Sequence, residues 1–393
     1  MNTPNRVSYK DIEKLEPLRI RKNFKANFQG SIPAPFIGRF NYPNVNVGML
    51  SPQYGGDTSY FDSPALWSKA KFSISKIAHM RYSLVNSQVK SNVKNFNTRY
   101  LDLIKESGIS KKPIEVEVNL FNKPKYQAID SQVTPFGPRS VIHRASVVNN
   151  SGVDTRVDRV ISDTDLKANS AVVDLYKKGF DVTKVNRILS VGEVGVKKSR
   201  KLVPTRWSIT AVDDIVSKNL LSKIRDLPVG DNLAYFGGNW GNFYLILFFS
   251  ENFRYELFET YLNMKSNPWS KSGFVYSTDY EEFLGRKNYA TETSGGYYAA
   301  RLPVCEKLVS LGRQGGVLAL RFITPDYTAP LGVWVCRQAS RMALESKPVS
   351  FASSKLMLDY SKELIFRKFG FDLDLILKNS KMLKYTQKSM LDY

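Results

Sequence analysis

The chain has 393 residues, about twice the length of a typical single-core domain, and its 42% hydrophobic and 12% aromatic content excludes global disorder. The net charge of +21 at pH 7 indicates a polyanionic partner, and nucleic acid is the first candidate. An acidic membrane surface would instead call for a basic amphipathic helix.

The sequence predicts a protein of the cytoplasm without a membrane segment. No run of 18 apolar residues occurs, and the longest apolar stretch, residues 243–249, has the length of a strand. The first 17 residues lack the apolar core of a signal peptide. Cys305 and Cys336 form no metal-ligand pattern, which fits a reducing compartment.

The first half of the chain mixes helical and extended patterns. We expect a basic amphipathic helix over residues 8–28, interrupted at Pro17, and then a buried extended segment or tight loop over residues 31–52. A helix over residues 62–88 would start at Asp62 or Ser63, just before Pro64. The remaining apolar patterns predict strands at residues 114–121, 141–150 and 156–163.

Two helices joined by a glycine turn have the coarse spacing of a DNA-reading unit. They are expected at residues 165–178 and 181–189, with Gly179 between them, and basic residues follow soon after. A solvated helix pair and a basic loop are the simpler explanation. The candidate nucleic-acid-binding residues are Lys184, Arg187, Lys197, Lys198, Arg200, Lys201 and Arg206.

The later patterns predict a fold of the α+β class with a mixed or antiparallel sheet. Residues 232–262 and 273–278 resemble a β-meander, and residues 317–323 and 331–338 look like further strands. Helices are expected at residues 298–312, 339–345 and 361–378. The predicted domains are a basic helical arm (1–29), a large domain (30–285), a smaller domain (286–380) and a tail (381–393).

A group of acidic residues raises the possibility of catalysis. Asp163, Asp165, Asp213 and Asp214, with His143 upstream, could hold Mg²⁺ for phosphodiester hydrolysis. The alternative is structural: Asp163 or Thr164 caps a helix and Asp165 suits its first turn, while Asp213 and Asp214 lie early in a helix that follows Thr210. The chain contains no recognisable catalytic motif, and we identify no cofactor.

Aromatic residues in the second half are candidates for stacking on exposed bases. They are Phe274, Tyr276, Tyr297 and Tyr298. Packing in the core is the alternative interpretation of the same residues.

The last residues, QKSMLDY, resemble a sliding-clamp-binding peptide. The motif is formed by Gln387, Lys388, Ser389, Met390, Leu391, Asp392 and Tyr393. In a 3₁₀-like turn, residues three apart share one side, so Met390 and Tyr393 would form a plug while Gln387 hydrogen-bonds beside it. Such motifs usually carry two adjacent aromatic residues, and here there is one. Alternatively, Tyr393 packs onto its own last helix.

Several longer segments are similar to the archaeal Nre DNA-repair family. They are PAPFIGRFNYPNVNVGMLSP, VISDTDLKA, LLSKI, GVKKSRKLVPTRWSITAVDD and PLGVWVCRQASRMAL. The resemblance implies a large N-terminal domain, a smaller C-terminal domain, and repair of DNA in concert with the sliding clamp (PCNA). Many members also carry a Cys-rich zinc segment near the start. This chain has no cysteine before Cys305, so we expect that zinc site to be absent.

Three functional hypotheses follow from the sequence. The first is a DNA-repair factor that binds DNA through basic surfaces and is recruited to the clamp by residues 387–393. The second is a metal-dependent nuclease, and the third is an RNA- or ribosome-associated protein. The tail favours the first over the third, because ribosome binding has no use for a clamp peptide.

Overall fold

The computed structural model describes residues 23–94, 99–126, 135–149, 151–262 and 274–386. The chain divides into two compact units. The N-terminal unit runs to Val216 and includes Ala329–Gly332, and the C-terminal unit comprises Ser217–Thr328 and the chain from Val333. The domain boundary predicted near residue 285 stays a prediction. The sheet of the C-terminal unit contains strands from before and after that residue.

The N-terminal unit is built on a mixed six-stranded sheet. Its strands are β1 (Asn27–Ile32), β2 (Ala34–Ile37), β3 (Asn44–Ser51), β4 (Val85–Asn92), β5 (Ile114–Leu120) and β6 (Arg139–Asn149). They lie in the order β1-β5-β6-β4-β3-β2, and among the described strands of this sheet the β4–β6 pair alone is parallel.

Six helices and the start of a seventh complete this unit. They are α1 (Pro64–Lys69), α2 (Ile74–Tyr82), α3 (Arg99–Ile109), α4 (Thr155–Ser162), α5 (Ala168–Lys177), α6 (Val182–Ser190) and α7 (Thr205–Ile224). The division between the two units falls within α7.

One face of the sheet packs against an apolar core. Ile37, Val45 and Val47 are buried and cluster with Leu101 and Ile104 of α3. Because side chains alternate along a strand, the residues between them point to the other face. That second face carries the polar cleft described below.

Three predictions for the N-terminal unit need correction. Residues 23–28 are not helical, since β1 starts at Asn27. The helix expected over 62–88 is two short helices, broken where Lys71 adopts a positive φ of 50°, and followed by β4. The strand expected at 156–163 is helix α4, because Asp154 caps its first turn and Val157 and Val160 are buried at helical spacing.

The C-terminal unit contains a second six-stranded sheet. Its strands are β7 (Asn232–Asn239), β8 (Asn242–Phe249), β9 (Arg254–Tyr261), β10 (Val275–Glu281), β11 (Gly316–Ile323) and β12 (Val349–Phe351), in the order β10-β9-β11-β8-β7-β12. The helices are α8 (Ser294–Leu311), α9 (Trp334–Glu345), α10 (Ser354–Phe369), α11 (Asp374–Leu377) and α12 (Lys381–Thr386).

The strands of the expected meander are present, but their connection differs. β11 lies between β8 and β9, antiparallel to the first and parallel to the second, so β8 and β9 are not neighbours. All eight residues of β11 are buried, as expected for a strand with cores on both faces.

Two later predictions were also wrong in detail. The strand predicted at 331–338 gives way to α9 at Trp334. The helix predicted at 361–378 ends at Phe369, because Gly370 takes the left-handed conformation with φ 62°, and a separate helix follows. The described elements nevertheless confirm the α+β class. In the described part of the chain, no helix combines the length and apolar character that crossing a membrane requires.

Candidate nucleic-acid interface

A hydrogen bond places the start of α7 beside the end of β2. The backbone amide of Ile37 donates to Thr205 Oγ1 over 2.9 Å. The residues that follow each partner, Arg39 on one side and Arg206 on the other, then line the same cleft. Two distant segments of sequence therefore meet at one surface.

The floor of this cleft is the polar face of the first sheet. Strand pairing sets Phe36 opposite Gly48 and Gly48 opposite Gln88, while Asn86 is paired with Arg139. Residues directly opposite one another in a sheet share a face. We call the surface formed by Phe36, Ile37, Gly38, Arg39, Phe40, Asn46, Asn86, Gln88, Phe136, Arg139 and Arg206 the cationic cleft; it encloses about 90 Å³.

The charge of the cleft is positive. Its lining, as far as the chain is described, contains three arginines and no carboxylate. Exposed Lys90 lies opposite the floor residue Asn46 in the strand register. Exposed Lys125 lies opposite Arg139 in an isolated antiparallel β-bridge. Burial lowers the pKa of Arg139 below its usual value.

Exposed aromatic rings border the same cleft. Phe40 is 55% exposed, and the guanidinium carbon of Arg39 lies 4.6 Å from the centre of its ring. Tyr42 and Trp207, each more than 40% exposed, have ring centres 5.1 Å apart, and Lys201 Nζ lies 3.4 Å from the Tyr42 hydroxyl. Cations interleaved with exposed rings suit a strand of nucleic acid, because cations bind its phosphates and aromatic rings stack on its bases.

The structure separates the predicted basic residues into those exposed at the surface and those used for contacts inside the fold. Arg206 lines the cationic cleft, and Lys201 is exposed and contacts the Tyr42 hydroxyl. Lys197 and Lys198 are exposed on a short 3₁₀ turn before α7. Arg200 is partly occupied inside the fold, since it donates to the carbonyl oxygens of Gly195 and Asp163.

Lys184 and Arg187 are turned inward. Lys184 Nζ donates to the carbonyl oxygens of Gly108 and Ser110, and Arg187 forms an ion pair with Asp62 over 2.8 Å. Helices α5 and α6 therefore form as predicted, but the second helix uses these cations for internal contacts. Neither side chain is directed toward a nucleic-acid ligand.

The candidate catalytic carboxylates have structural surroundings. Asp163 Oδ1 accepts the amides of Asp165 and Leu166, which closes a turn after α4. Asp213 is buried, and it and Asp214 lie in the middle of α7, which begins at Thr205 and not after Thr210. Among the described residues no group of three His, Cys, Asp or Glu side chains could hold a metal ion. The nuclease hypothesis stays a prediction.

Core packing, the alternative interpretation, holds for Tyr297 and Tyr298, which are buried in the C-terminal unit. Phe274 is 38% exposed and packs against Tyr276 and Phe371, so base stacking by Phe274 and Tyr276 stays a prediction. Composition singled out neither the rings of Phe40, Tyr42 and Trp207 nor the cations of Arg39 and Arg139. For Arg39, Phe40, Tyr42 and Trp207, the signal that could have found them was their position in segments that carry the family resemblance, whereas Arg139 lies outside those segments.

The predicted clamp-binding motif at residues 387–393 lies outside the described residues, and the chain leading to it is anchored in the C-terminal unit. The buried carboxylate of Glu256 accepts the Ser380 hydroxyl and the amides of Lys381 and Met382 at the start of α12. The Met382 side chain is fully buried in the core beneath. The motif therefore follows directly after an anchored helix.

Comparison with known proteins assigns both parts of the chain. The family described as "Archaeal Nre, N-terminal" matches residues 9–270, and "Archaeal Nre, C-terminal" matches residues 281–393. The DNA repair protein NreA of Haloferax volcanii is 35% identical over 331 residues, which cover 81% of this chain and 78% of the relative.

Two proteins of Archaeoglobus fulgidus are similarly related. DNA repair protein NreA is 34% identical, covering 86% of each chain, and DNA repair protein NreB is 33% identical, covering 82% of this chain and 81% of the relative. No solved structure matches significantly. Matches to both family domains and identity above 30% over most of the chain show that this protein belongs to the archaeal Nre family.

Proposed function

We propose that this protein is a DNA-repair factor that binds nucleic acid through the cationic cleft and is recruited to a sliding clamp by residues 387–393. Its relatives are named DNA repair proteins, and the net charge of +21 favours a polyanionic partner. The terminal Gln-x-x-Met-x-x-Tyr spacing supports the recruitment step.

The observation that carries the proposal is the convergence of two segments at one cleft. Arg39 and Phe40 of the β2–β3 segment and Arg206 of α7 line the cleft. The same two segments also meet through the paired rings of Tyr42 and Trp207. Lysines and arginines bind phosphates by displacing condensed counterions, while exposed rings stack on bases. The proximity of arginines and exposed rings supports binding of a single strand, which uses both kinds of contact.

Charge reversal at the cleft tests the DNA-binding step. The variant has Lys90, Lys201 and Arg206 changed to Glu, and its matched control has Lys347, Lys355 and Lys368, all exposed in the C-terminal unit, changed to Glu. Both variants lose the same charge, so a non-specific effect of net charge would weaken them equally. Binding to single- and double-stranded oligonucleotides is measured by fluorescence anisotropy over a range of salt concentrations.

We expect the cleft variant to bind more weakly and to show a shallower salt dependence. The logarithmic slope falls by about 0.7 to 0.9 for each phosphate that the protein no longer neutralises. The control should keep the wild-type slope. Equal losses of affinity in the two variants would show that the cleft is not the binding surface.

A further inference from the structure

We propose that the cationic cleft holds one unstacked base of single-stranded DNA in the cavity at its floor. This inference rests on the proposed function and goes beyond it, because it assigns a subsite and the chemical group that the subsite binds. Binding through phosphates alone would need only the charged rim.

The size of the cavity favours a flat ring over a single ion or water molecule. The enclosed volume of about 90 Å³ is several times the roughly 10–15 Å³ that one water requires. Phe36 and Phe136, with ring centres 4.5 Å apart at an angle of 54°, form part of the wall. Two tilted rings offer an edge and a face against which a base can pack.

The polar groups of the floor match a base better than a phosphate. Asn46, Asn86 and Gln88 all present amides, which both donate and accept hydrogen bonds. A phosphate diester has only acceptor atoms and leaves amide oxygens unsatisfied, whereas a base offers ring N–H or amino donors together with acceptors.

Asn86 gives a second, independent indication of a ligand. Its side chain is 1% exposed and lines the cavity, and no described residue donates to its Oδ1. Buried acceptors in folded proteins are normally satisfied. An amino or ring N–H group of a base is a donor of the kind this oxygen lacks.

Gly48 keeps the floor open. It lies between Phe36 and Gln88 in the strand register, and a Cβ at this position would collide with the side-chain oxygen of Asn86. The absence of a side chain at Gly48 therefore leaves room for the Asn86 amide oxygen. The glycine serves the shape of the cavity, since its backbone needs no left-handed conformation.

The experiment compares pocket variants with a matched control on the same unit. Gln88→Ala and Phe136→Ala each change a partly buried lining residue, and Phe121→Ala removes a 62% exposed ring that does not line the cavity. Affinities are measured for a single-stranded oligonucleotide, the same oligonucleotide with abasic sites, a duplex and the equivalent RNA. Thermal melts verify that each variant is folded.

We expect each pocket variant to bind single-stranded DNA about tenfold more weakly with an unchanged salt slope, because the variant removes an interaction with a base and leaves the phosphate interactions in place. Wild type should discriminate against abasic DNA by a similar factor, and Phe121→Ala should behave as wild type. If Phe136→Ala fails to fold, Gln88→Ala and the abasic comparison still decide the question.

Equal wild-type affinity for normal and abasic strands would overturn the base pocket, and would leave the proposed function intact if charge reversal still weakens binding. Tight binding of RNA but not of DNA would overturn the assignment to DNA. Absence of any nucleic-acid binding would overturn both the pocket and the proposed DNA-binding step.

Discussion

Tyr42 and Trp207 lie with their ring centres 5.1 Å apart at an angle of 50°, although one follows β2 and the other is in the first turn of α7. Each ring remains more than 40% exposed. The pair therefore joins two segments while leaving aromatic surface in contact with solvent beside the cationic cleft.

Replacing Trp207 by Ala should weaken binding of single-stranded DNA by about tenfold, because stacking of one base is removed. The melting temperature should change little, since the ring is 44% exposed. Anisotropy titrations and thermal melts measure the two effects. Phe366→Ala, at a 59% exposed ring of the C-terminal unit, is the matched control, and equal DNA affinity in the two variants would contradict the prediction.

Changing Asp62 to Asn should destabilise the N-terminal unit by about 3 kcal/mol, because a buried carboxylate that pairs with two guanidinium groups is removed. Asp62 contacts Arg81 over 3.0 Å and Arg187 over 2.8 Å, and Arg81 is fully buried. Urea unfolding measures the change. Asp359→Asn on the exposed face of α10 should cost almost nothing, and similar losses of stability in both variants would count against the ion-pair network.

Lys184 should make stability depend on pH above neutrality. Burial, reinforced by the neighbouring charge of Arg187, lowers the pKa of Lys184 to about 7. In the unfolded chain a lysine has a pKa of about 10.4. Between these values the unfolded chain binds the additional proton, so the free energy of unfolding rises as the pH increases from about 7 to about 10.

The rise should be absent in Lys184→Met and present in the control Lys177→Met, which alters an exposed lysine of α5. Chemical denaturation at a series of pH values provides the comparison. Parallel pH profiles for wild type and Lys184→Met would show that this ammonium group is not the cause.

Ending the chain after Thr386 should abolish binding to the sliding clamp and leave the melting temperature unchanged. The truncation removes residues 387–393 but keeps Met382 in its buried site and the contacts of Glu256 with α12. Calorimetry with the purified clamp measures binding. Undiminished affinity of the truncated chain would refute the recruitment role of this peptide.

Met382→Ala is the complementary variant. It should destabilise the C-terminal unit by about 2–5 kcal/mol, since a fully buried methionine is truncated, and clamp binding should persist below the melting temperature. Loss of clamp binding in a folded Met382→Ala protein would indicate that the anchor, and not the terminal peptide, binds the clamp.

The sequence predicted the elements whose signals are local. Helices α5 and α6 were predicted within a few residues, because apolar spacing and the cap at Asp181 act over short distances. The segment around Val157 and Val160 was misassigned as a strand, because its apolar residues fit either period over so short a length. The α+β class depended only on the mixture of such signals.

The cationic cleft depended on pairing over long distances. The local sequence does not indicate that Arg39 and Arg206 share one cleft, and only the strand register and the contact between Ile37 and Thr205 bring them together. Likewise, nothing in the sequence around Lys184 indicates that its ammonium group binds internal carbonyl groups. Charge composition identified the kind of partner, while geometry was needed to locate the surface.

The insertion of β11 between β8 and β9 has a consequence for synthesis on the ribosome. A nascent chain that has reached residue 285 has made β7, β8, β9 and β10, yet the central strand that joins the two halves of the sheet has not been translated. Until then β8 and β9 each expose an unpaired backbone edge rich in Phe and Tyr, which is a template for aggregation. A gene fragment cut at that residue would therefore yield insoluble protein, and expression of the second half should start near Ser217 and continue past Met382.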